Sequence, residues 1–158
     1  MLSFDVIYSQ FLTSVPEWGE AAQHLTKEEL QMELYNLLVP AIADFNFPQV
    51  SLDFDPVYGE GEEPSIVSGT FKNNVTQREI NVLLALMRVK WMESVINRES
   101  RYERYYYDAN MRTHSQGNLL LQMNKRAEIL RKDAREAIFN YSRRNSDGTP
   151  NVDRYKWE

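Results

Sequence analysis

The sequence predicts a mainly α-helical fold: a small helical bundle with an inserted loop or β-hairpin arm and an extended C-terminal tail. Three observations support this prediction. Two capping boxes precede apolar stripes of helical period, a heptad-like seam runs along the last long helix, and a Gly- and Pro-rich stretch separates the helices. We expect residues 1–144 to form one bundle domain, with residues 46–75 as its arm and residues 145–158 as a docking tail.

Apolar spacing and a capping signal predict the first two helices. Residues 3–14 carry large apolar side chains at intervals of three and four, which is typical of one buried helix face. Those side chains are Phe4, Ile7, Tyr8, Phe11 and Leu12. Thr26 and Glu29 have the spacing of a capping box, in which each side chain bonds the other residue's backbone amide. We expect Pro40 to kink or end this second helix, and the chain to continue to about Phe45.

Residues 46–75 are predicted to form the inserted arm. Val50, Leu52 and Phe54 alternate with polar residues, which suits one strand. A second short extended piece is predicted over residues 66–71. Turn-forming residues punctuate the acidic stretch between these pieces: Pro56, Gly59, Gly61 and Pro64. Together the two pieces predict a small hairpin or a projecting arm.

The third and fourth helices have the strongest local signals. Thr76 and Glu79 repeat the capping-box spacing and begin a helix that we expect to run to about Tyr107. After a break near residues 113–118, a fourth helix carries the heptad-like seam. The seam comprises Leu120, Ala127, Ala134 and Tyr141, with Met123, Leu130 and Ala137 in the complementary series. Because three of these residues are alanines, the sequence predicts the close approach of another helix.

Charge is distributed unevenly along the chain. The net charge is −5, yet residues 1–64 hold twelve acids and a single base, Lys27, whereas residues 65–158 hold seventeen bases and eleven acids. The two parts therefore carry −11 and +6. One interpretation is a polar assembly in which one end meets something acidic. The other is that the two halves neutralise each other, within one fold or between neighbouring copies.

No constellation of residues indicates catalysis, so we predict that the chain is not an enzyme and uses no cofactor or metal. It has no cysteine, and His24 and His114 both lack a partner at metal-ligand spacing. Neither a Gly-x-Ser-x-Gly sequence nor a glycine-rich phosphate loop is present. We expect no targeting segment, and no membrane association, because no apolar run reaches the roughly 20 residues of a membrane span.

Two segments combine aromatic residues with arginine. The segment 101–107 includes Arg101, Tyr105 and Tyr106, and it suits a protein interface, ordinary packing or contact with nucleic acid. The end of the chain combines Arg154, Tyr155 and Trp157, and it suits a docking strand or hook better than a disordered tail. The alternative is that this end packs back on its own domain.

The sequence between residues 76 and 142 resembles the small neck proteins of tailed bacteriophages, the head–tail connector or adaptor family. Four stretches carry the resemblance: Thr76-Gln77-Arg78-Glu79-Ile80, Leu83-Leu84-Ala85-Leu86-Met87 followed by Trp91, His114-Ser115-Gln116-Gly117-Asn118-Leu119-Leu120, and Tyr141-Ser142. They cover somewhat under half of the chain, and residues 1–45 match only in general arrangement.

The resemblance implies a structural role in the virion. Adaptors of this family form a ring, usually of twelve copies, below the portal protein, where they extend the DNA channel and receive the next neck or tail protein. The resemblance therefore implies a protein of the virion neck, assembled in the host cytoplasm, with DNA passing through the lumen without specific binding. Nothing in the family implies catalysis.

The same resemblance implies two sets of site residues. By analogy, residues 143–158 would dock on the portal, and we expect Arg143, Arg144, Arg154, Tyr155 and Trp157 to take part. The arm and the tyrosine-rich segment would contact neighbouring copies, through Phe54, Tyr58, Ile66, Phe71, Arg101, Tyr105 and Tyr106. The alternative function is that of a small helical nucleic-acid-binding or regulatory protein, acting through residues 98–112 and the basic face of the fourth helix.

Overall fold

The computed structural model describes residues 1–15, 24–59, 65–107, 114–144 and 149, without the side chains of residues 99–107 and 114–117. It confirms the predicted fold class, a mainly helical protein with a two-stranded antiparallel hairpin. The elements, in chain order, are helices α1 (Phe4–Ser14) and α2 (Lys27–Asp44), strands β1 (Phe54–Tyr58) and β2 (Ile66–Phe71), and helices α3 (Gln77–Tyr107) and α4 (His114–Ser142).

The first two helices begin at the residues that the sequence indicates. The hydroxyl of Ser3 caps α1 by accepting a hydrogen bond from the backbone N–H of Asp5, at 3.2 Å. Thr26 and Glu29 form the predicted capping box at the start of α2. Pro40 does not end α2, which continues to Asp44. Pro40 lies on the exposed side of the helix, where water can satisfy the carbonyl that loses its N–H partner.

The hairpin begins later in the chain than the alternating pattern predicts. Residues 50–53 are not part of a strand, because β2 offers partners only from Phe54, opposite Phe71, to Tyr58, opposite Ile66. Pro56 is tolerated inside β1 because this is an edge strand, where a missing N–H costs no ladder bond. On its other side, β2 receives the N-terminus, since the N–H of Phe71 donates to the carbonyl of Leu2 at 2.9 Å.

Helix α3 is the central element of the core. Its first half is buried on several sides, so its apolar residues do not form a single stripe. These buried residues are Ile80, Val82, Leu83, Leu84, Leu86, Met87, Val89, Trp91 and Met92. Helix α4 packs along α3 through the predicted seam, in which Ala127, Ala134 and Tyr141 are each at most 4% exposed. The small alanine side chains let the two backbones approach closely, as expected.

The remaining core lies between α1, α2 and the hairpin. Phe4 is fully buried, and its ring centroid lies 4.8 Å from that of Phe71 and 4.9 Å from that of Phe54. Leu34 and Leu38 of α2 are also buried in this core. The base of the hairpin is therefore held by an aromatic cluster. In the part of the chain that the structure describes, no helix is both long and apolar enough to cross a bilayer.

Candidate functional site

The C-terminal end of α4 meets the start of α3 and the loop after α2, and this junction is the best-defined polar site in the described structure. Tyr141, the last residue of the seam, is 4% exposed. Its hydroxyl donates a hydrogen bond to Oε1 of Glu79 at 2.6 Å and accepts one from the backbone N–H of Gln49 at 2.8 Å. One side chain thus joins three segments that are distant in the sequence.

Glu79 is a buried carboxylate at the first turn of α3, with 2% of its surface exposed. Its Oε2 accepts a hydrogen bond from the backbone N–H of Thr76 at 2.9 Å, and another from the Thr76 hydroxyl. Burial acts to raise the pKa of Glu79, but the hydrogen bonds from Thr76 and Tyr141 outweigh it and leave this pKa below its usual value. The carboxylate is therefore held in its charged form.

Arginine side chains cover the last turn of α4. The guanidinium of Arg78 donates to the carbonyl oxygen of Tyr141 at 3.2 Å and to that of Arg144 at 3.3 Å. It also lies over the Tyr141 ring, 5.2 Å from the centroid. The guanidinium of Arg143 lies 5.1 Å from the ring centroid of Phe139. Positive charge at this position also complements the negative end of the helix dipole.

An open cleft of about 640 Å³ lies beside this junction. It is lined by Arg78, Asn81, Val82, Ala137, Asn140, Tyr141, Arg143 and Arg144. Three of these side chains are guanidinium groups, which bind carboxylates in bidentate geometry. The guanidinium groups therefore give the cleft a positive charge that favours carboxylates. Among the described residues, no group of three or more His, Cys, Asp or Glu lies close enough together to hold a metal ion.

The structure locates only part of the predicted portal-docking set. Arg143 and Arg144 follow α4 directly and line the cleft. Arg154, Tyr155 and Trp157 lie outside the described residues.

The predicted intersubunit residues have different environments. Tyr58 is 56% exposed, and Phe54 and Ile66 are half-buried. The prediction for Phe71 is wrong: this side chain is completely buried in the core against Phe4, so it cannot contact a neighbouring copy. Three further residues of this set lie in the tyrosine-rich part of α3, and their side chains are outside the described structure: Arg101, Tyr105 and Tyr106.

Sequence reasoning missed the loop between α2 and β1. Phe47 has a backbone φ of 60° and a side chain that is 84% exposed, the largest exposed fraction of any described aromatic residue. A non-glycine residue in this region of backbone space costs about 1–3 kcal/mol. Its neighbours are fixed, since the ring of Phe45 packs 5.1 Å from that of Tyr141. No glycine or asparagine at position 47 signals this conformation in the sequence.

The fold and the site define a class of protein: a helical bundle with a hairpin arm and a hydrogen-bonded junction at the end of its last helix. No family model, curated protein or solved structure matches the chain.

Proposed function

We propose that this chain is a structural protein of the neck of a tailed bacteriophage. Copies of it form a ring, of twelve subunits in the family that it resembles, below the portal protein. The ring joins head to tail and extends the DNA channel, so that DNA passes through the lumen without specific binding. Its partners are other copies of itself, the portal protein and the next neck or tail protein. The chain then acts by binding other proteins through its surfaces, and it catalyses no reaction.

The fixed C-terminal end of α4 is the observation that most supports this proposal. The Tyr141 hydroxyl and the Arg78 guanidinium hold the last turn of α4, and Arg143 and Arg144 follow at once. A docking segment binds more tightly when its base is held in one position, because less conformational entropy is lost on binding. Residues 145–158 would extend from this point to the portal, with Arg154, Tyr155 and Trp157 as anchors.

The hairpin supports the proposal that the arm lies between subunits. Its base is anchored by the aromatic cluster around Phe4, while Val57 and Tyr58 near its other end are 45% and 56% exposed. An arm with an anchored base and an exposed apolar end is suited to reach a neighbouring subunit. Helix α3, which we expect to contribute Arg101, Tyr105 and Tyr106 to the same contact, extends to Tyr107.

Electron microscopy of the purified chain, alone and mixed with the portal protein encoded in the same genome, tests this proposal. We expect rings, or collars bound to one face of the portal. Replacement of the three tail anchors by alanine (R154A, Y155A and W157A) should abolish portal binding and leave self-association intact. A chain that stays monomeric and does not bind the portal would rule out the proposal.

The outer face of α4 supports a second candidate function, the binding of nucleic acid. Exposed bases outnumber exposed acids on this helix between residues 118 and 142. The bases are Lys125, Arg126, Lys132 and Arg135, and the acids are Glu128, Asp133 and Glu136. A salt-dependent shift of duplex DNA by the monomer would favour this function, since binding through phosphate contacts weakens as salt increases.

A further inference from the structure

Phe47 is exposed and also strained, and among the described residues no contact of its side chain accounts for either property. Its side chain is 84% exposed, and its backbone lies in the left-handed region with a φ of 60°. It also precedes Pro48, and a proline further restricts the backbone of the residue before it. The backbone strain destabilises the isolated chain, and the exposed ring gains almost no burial energy that would offset it.

The loop around Phe47 is held in place on both sides. Phe45 is 3% exposed and packs against Tyr141. The backbone N–H of Gln49 donates to the Tyr141 hydroxyl at 2.8 Å, and the Gln49 side chain donates to the carbonyl of Arg144. The Phe47 ring is therefore presented to solvent by fixed neighbours. This pre-organisation is typical of an aromatic anchor at a protein interface.

Basic side chains lie on both sides of this loop. On one side, the Gln49 side chain donates to the carbonyl of Arg144, and Arg144 lines the cleft described above together with Arg78. Asn46 lies at the edge of a second cleft of about 350 Å³ between α2, α3 and α4. Its charged residues are the ion pairs Lys90–Asp44 and Arg131–Glu93 and the exposed Arg135, so its net charge is positive. We call Phe47, Arg78 and Arg135 the knob face. A surface that receives this face should offer an apolar site with carboxylates around it.

Such a surface exists at the other end of α2. Leu25 and Met32 are 37% and 38% exposed, and the exposed glutamates beside them are Glu28, Glu29 and Glu33. Glu28, Glu29, Met32 and Glu33 lie on the exposed side of the first turns of α2, and Leu25 comes just before the N-cap residue Thr26. The hairpin adjoins this surface, because the Ser65 hydroxyl lies 3.5 Å from Sδ of Met32. We call Leu25, Met32 and the three glutamates the acceptor face.

The two faces are too far apart to meet within one chain. Helix α2 has 18 residues, which at 1.5 Å per residue separates its ends by about 27 Å. Two complementary surfaces at distant places on one molecule produce head-to-tail contacts, and these close into rings when the rotation between subunits permits. Methionine also adapts its shape readily around an aromatic ring.

We infer that Phe47 of one copy inserts between Leu25 and Met32 of the next copy, with the arginines of the knob face against the glutamates of the acceptor face. This inference rests on the proposed ring and names the residues that build it. It also adds Phe47 and α2 to the intersubunit contact, beside Tyr58 on the adjoining hairpin.

Phe47→Asn tests the knob face, because it removes the ring and because asparagine adopts left-handed backbone more readily than phenylalanine. Sedimentation velocity over a concentration series should show the dissociation constant of self-association raised at least about tenfold, equivalent to about 1.4 kcal/mol. The thermal midpoint, measured at dilutions where both chains are monomeric, should stay the same or rise. Phe47→Ala and Phe139→Ala form a matched pair, since Phe139 is also exposed, at 57%; only the former should weaken association.

A mixing experiment tests the pairing of the two faces. One chain carries Phe47→Asn and keeps its acceptor face, and the other carries Glu28→Arg with Glu33→Arg and keeps its knob face. At a protein concentration between the dissociation constants of the wild-type and variant chains, each variant alone should be mostly monomeric. Their mixture should form a heterodimer that does not grow further, because only one intact contact can form. If each face paired with its own kind, the mixture would show no new species.

The outcomes separate this inference from the proposed function. If the wild-type chain forms rings and the Phe47 and glutamate variants form them equally well, the ring proposal survives and the knob-and-acceptor contact is wrong. If the wild-type chain is monomeric at every concentration and beside the portal protein, both are wrong. If neither variant forms rings and their mixture forms a heterodimer, the result supports the proposed function and this inference together.

Discussion

The hydroxyl of Tyr141 lies 2.6 Å from Oε1 of Glu79 and donates a hydrogen bond to it, so the end of α4 is tied to the start of α3. The same carboxylate accepts hydrogen bonds from Thr76, and the same hydroxyl accepts one from the N–H of Gln49. A capping residue and a seam residue therefore form one buried network. In the described structure, this network also fixes the C-terminal end of α4.

Tyr141→Phe should destabilise the protein by about 1–3 kcal/mol, because it removes one donor from a buried carboxylate and the acceptor of the Gln49 N–H. The ring itself stays, so packing against Phe45 and Arg78 is retained. Urea denaturation measures the change in the free energy of unfolding. Tyr58→Phe is the matched control: it removes the same hydroxyl from an exposed side chain and should change stability by less than about 0.5 kcal/mol.

Acid should weaken the fold through Glu79. The folded-state pKa of Glu79 is lower than its usual value of 4.5, so the unfolded chain binds the proton more tightly. The contribution of Glu79 is thus present above pH 4.5 and is lost as the pH falls through the folded-state pKa. Urea denaturation at a series of pH values should show a smaller acid-induced loss in Glu79→Gln than in the wild-type protein. Equal losses in the two proteins would contradict this assignment.

Alkali should weaken the same junction through Tyr141. Burial, and then the hydrogen bond to Glu79, raise the pKa of Tyr141 from 10.0 to about 12. A folded-state pKa above the unfolded value stabilises the fold below pH 10, and this contribution is lost as the pH rises from 10 to about 12. Tyr141→Phe should remove this part of the alkaline loss. The part that comes from Tyr8, whose pKa burial also raises, should remain in the variant.

The sequence predicted one role of Glu79 and missed the other. Capping depends on a spacing of three residues, so Thr76 and Glu79 were sufficient to indicate it. The bond to Tyr141 joins residues 62 positions apart, and helical or strand periods carry no information about such a pair. Tyr141 was correctly placed on the seam, but which buried group its hydroxyl would meet depended on how α3 and α4 are aligned.

Phe71 and Phe47 show why exposure was predicted less well than secondary structure. Both are aromatic residues of the predicted arm. The pattern of apolar and polar residues does not show which of the two is covered by another element. Phe4 of α1 covers Phe71, whereas no described element covers Phe47. The predicted strand also began too early, because pairing starts where β2 supplies a partner, at Phe54.

Gly69→Ala should destabilise the base of the arm. A Cβ atom at this position would lie 2.9 Å from Cε2 of Phe4 and 3.0 Å from Cδ2 of Phe54, so the aromatic cluster would have to move. We expect a loss of about 1–3 kcal/mol, as for other overpacked cores, measured by urea denaturation. Gly59→Ala is the control and should lose less, because its Cβ would meet only a Val67 methyl group closely, at 3.1 Å. Equal effects would contradict the packing described for Phe4.

Ala134→Leu should separate α4 from α3. Ala134 is 3% exposed and belongs to the core cluster that includes Leu86 and Val89 of α3, so a larger side chain meets atoms that are already packed. We expect a loss of about 1–3 kcal/mol in the free energy of unfolding by urea. Lys132→Leu adds the same side chain to the exposed face of α4 and should change stability by less than about 0.5 kcal/mol. If the two variants were equally stable, the alanine seam would not be the surface that packs on α3, and the junction at Tyr141 would lose its structural basis.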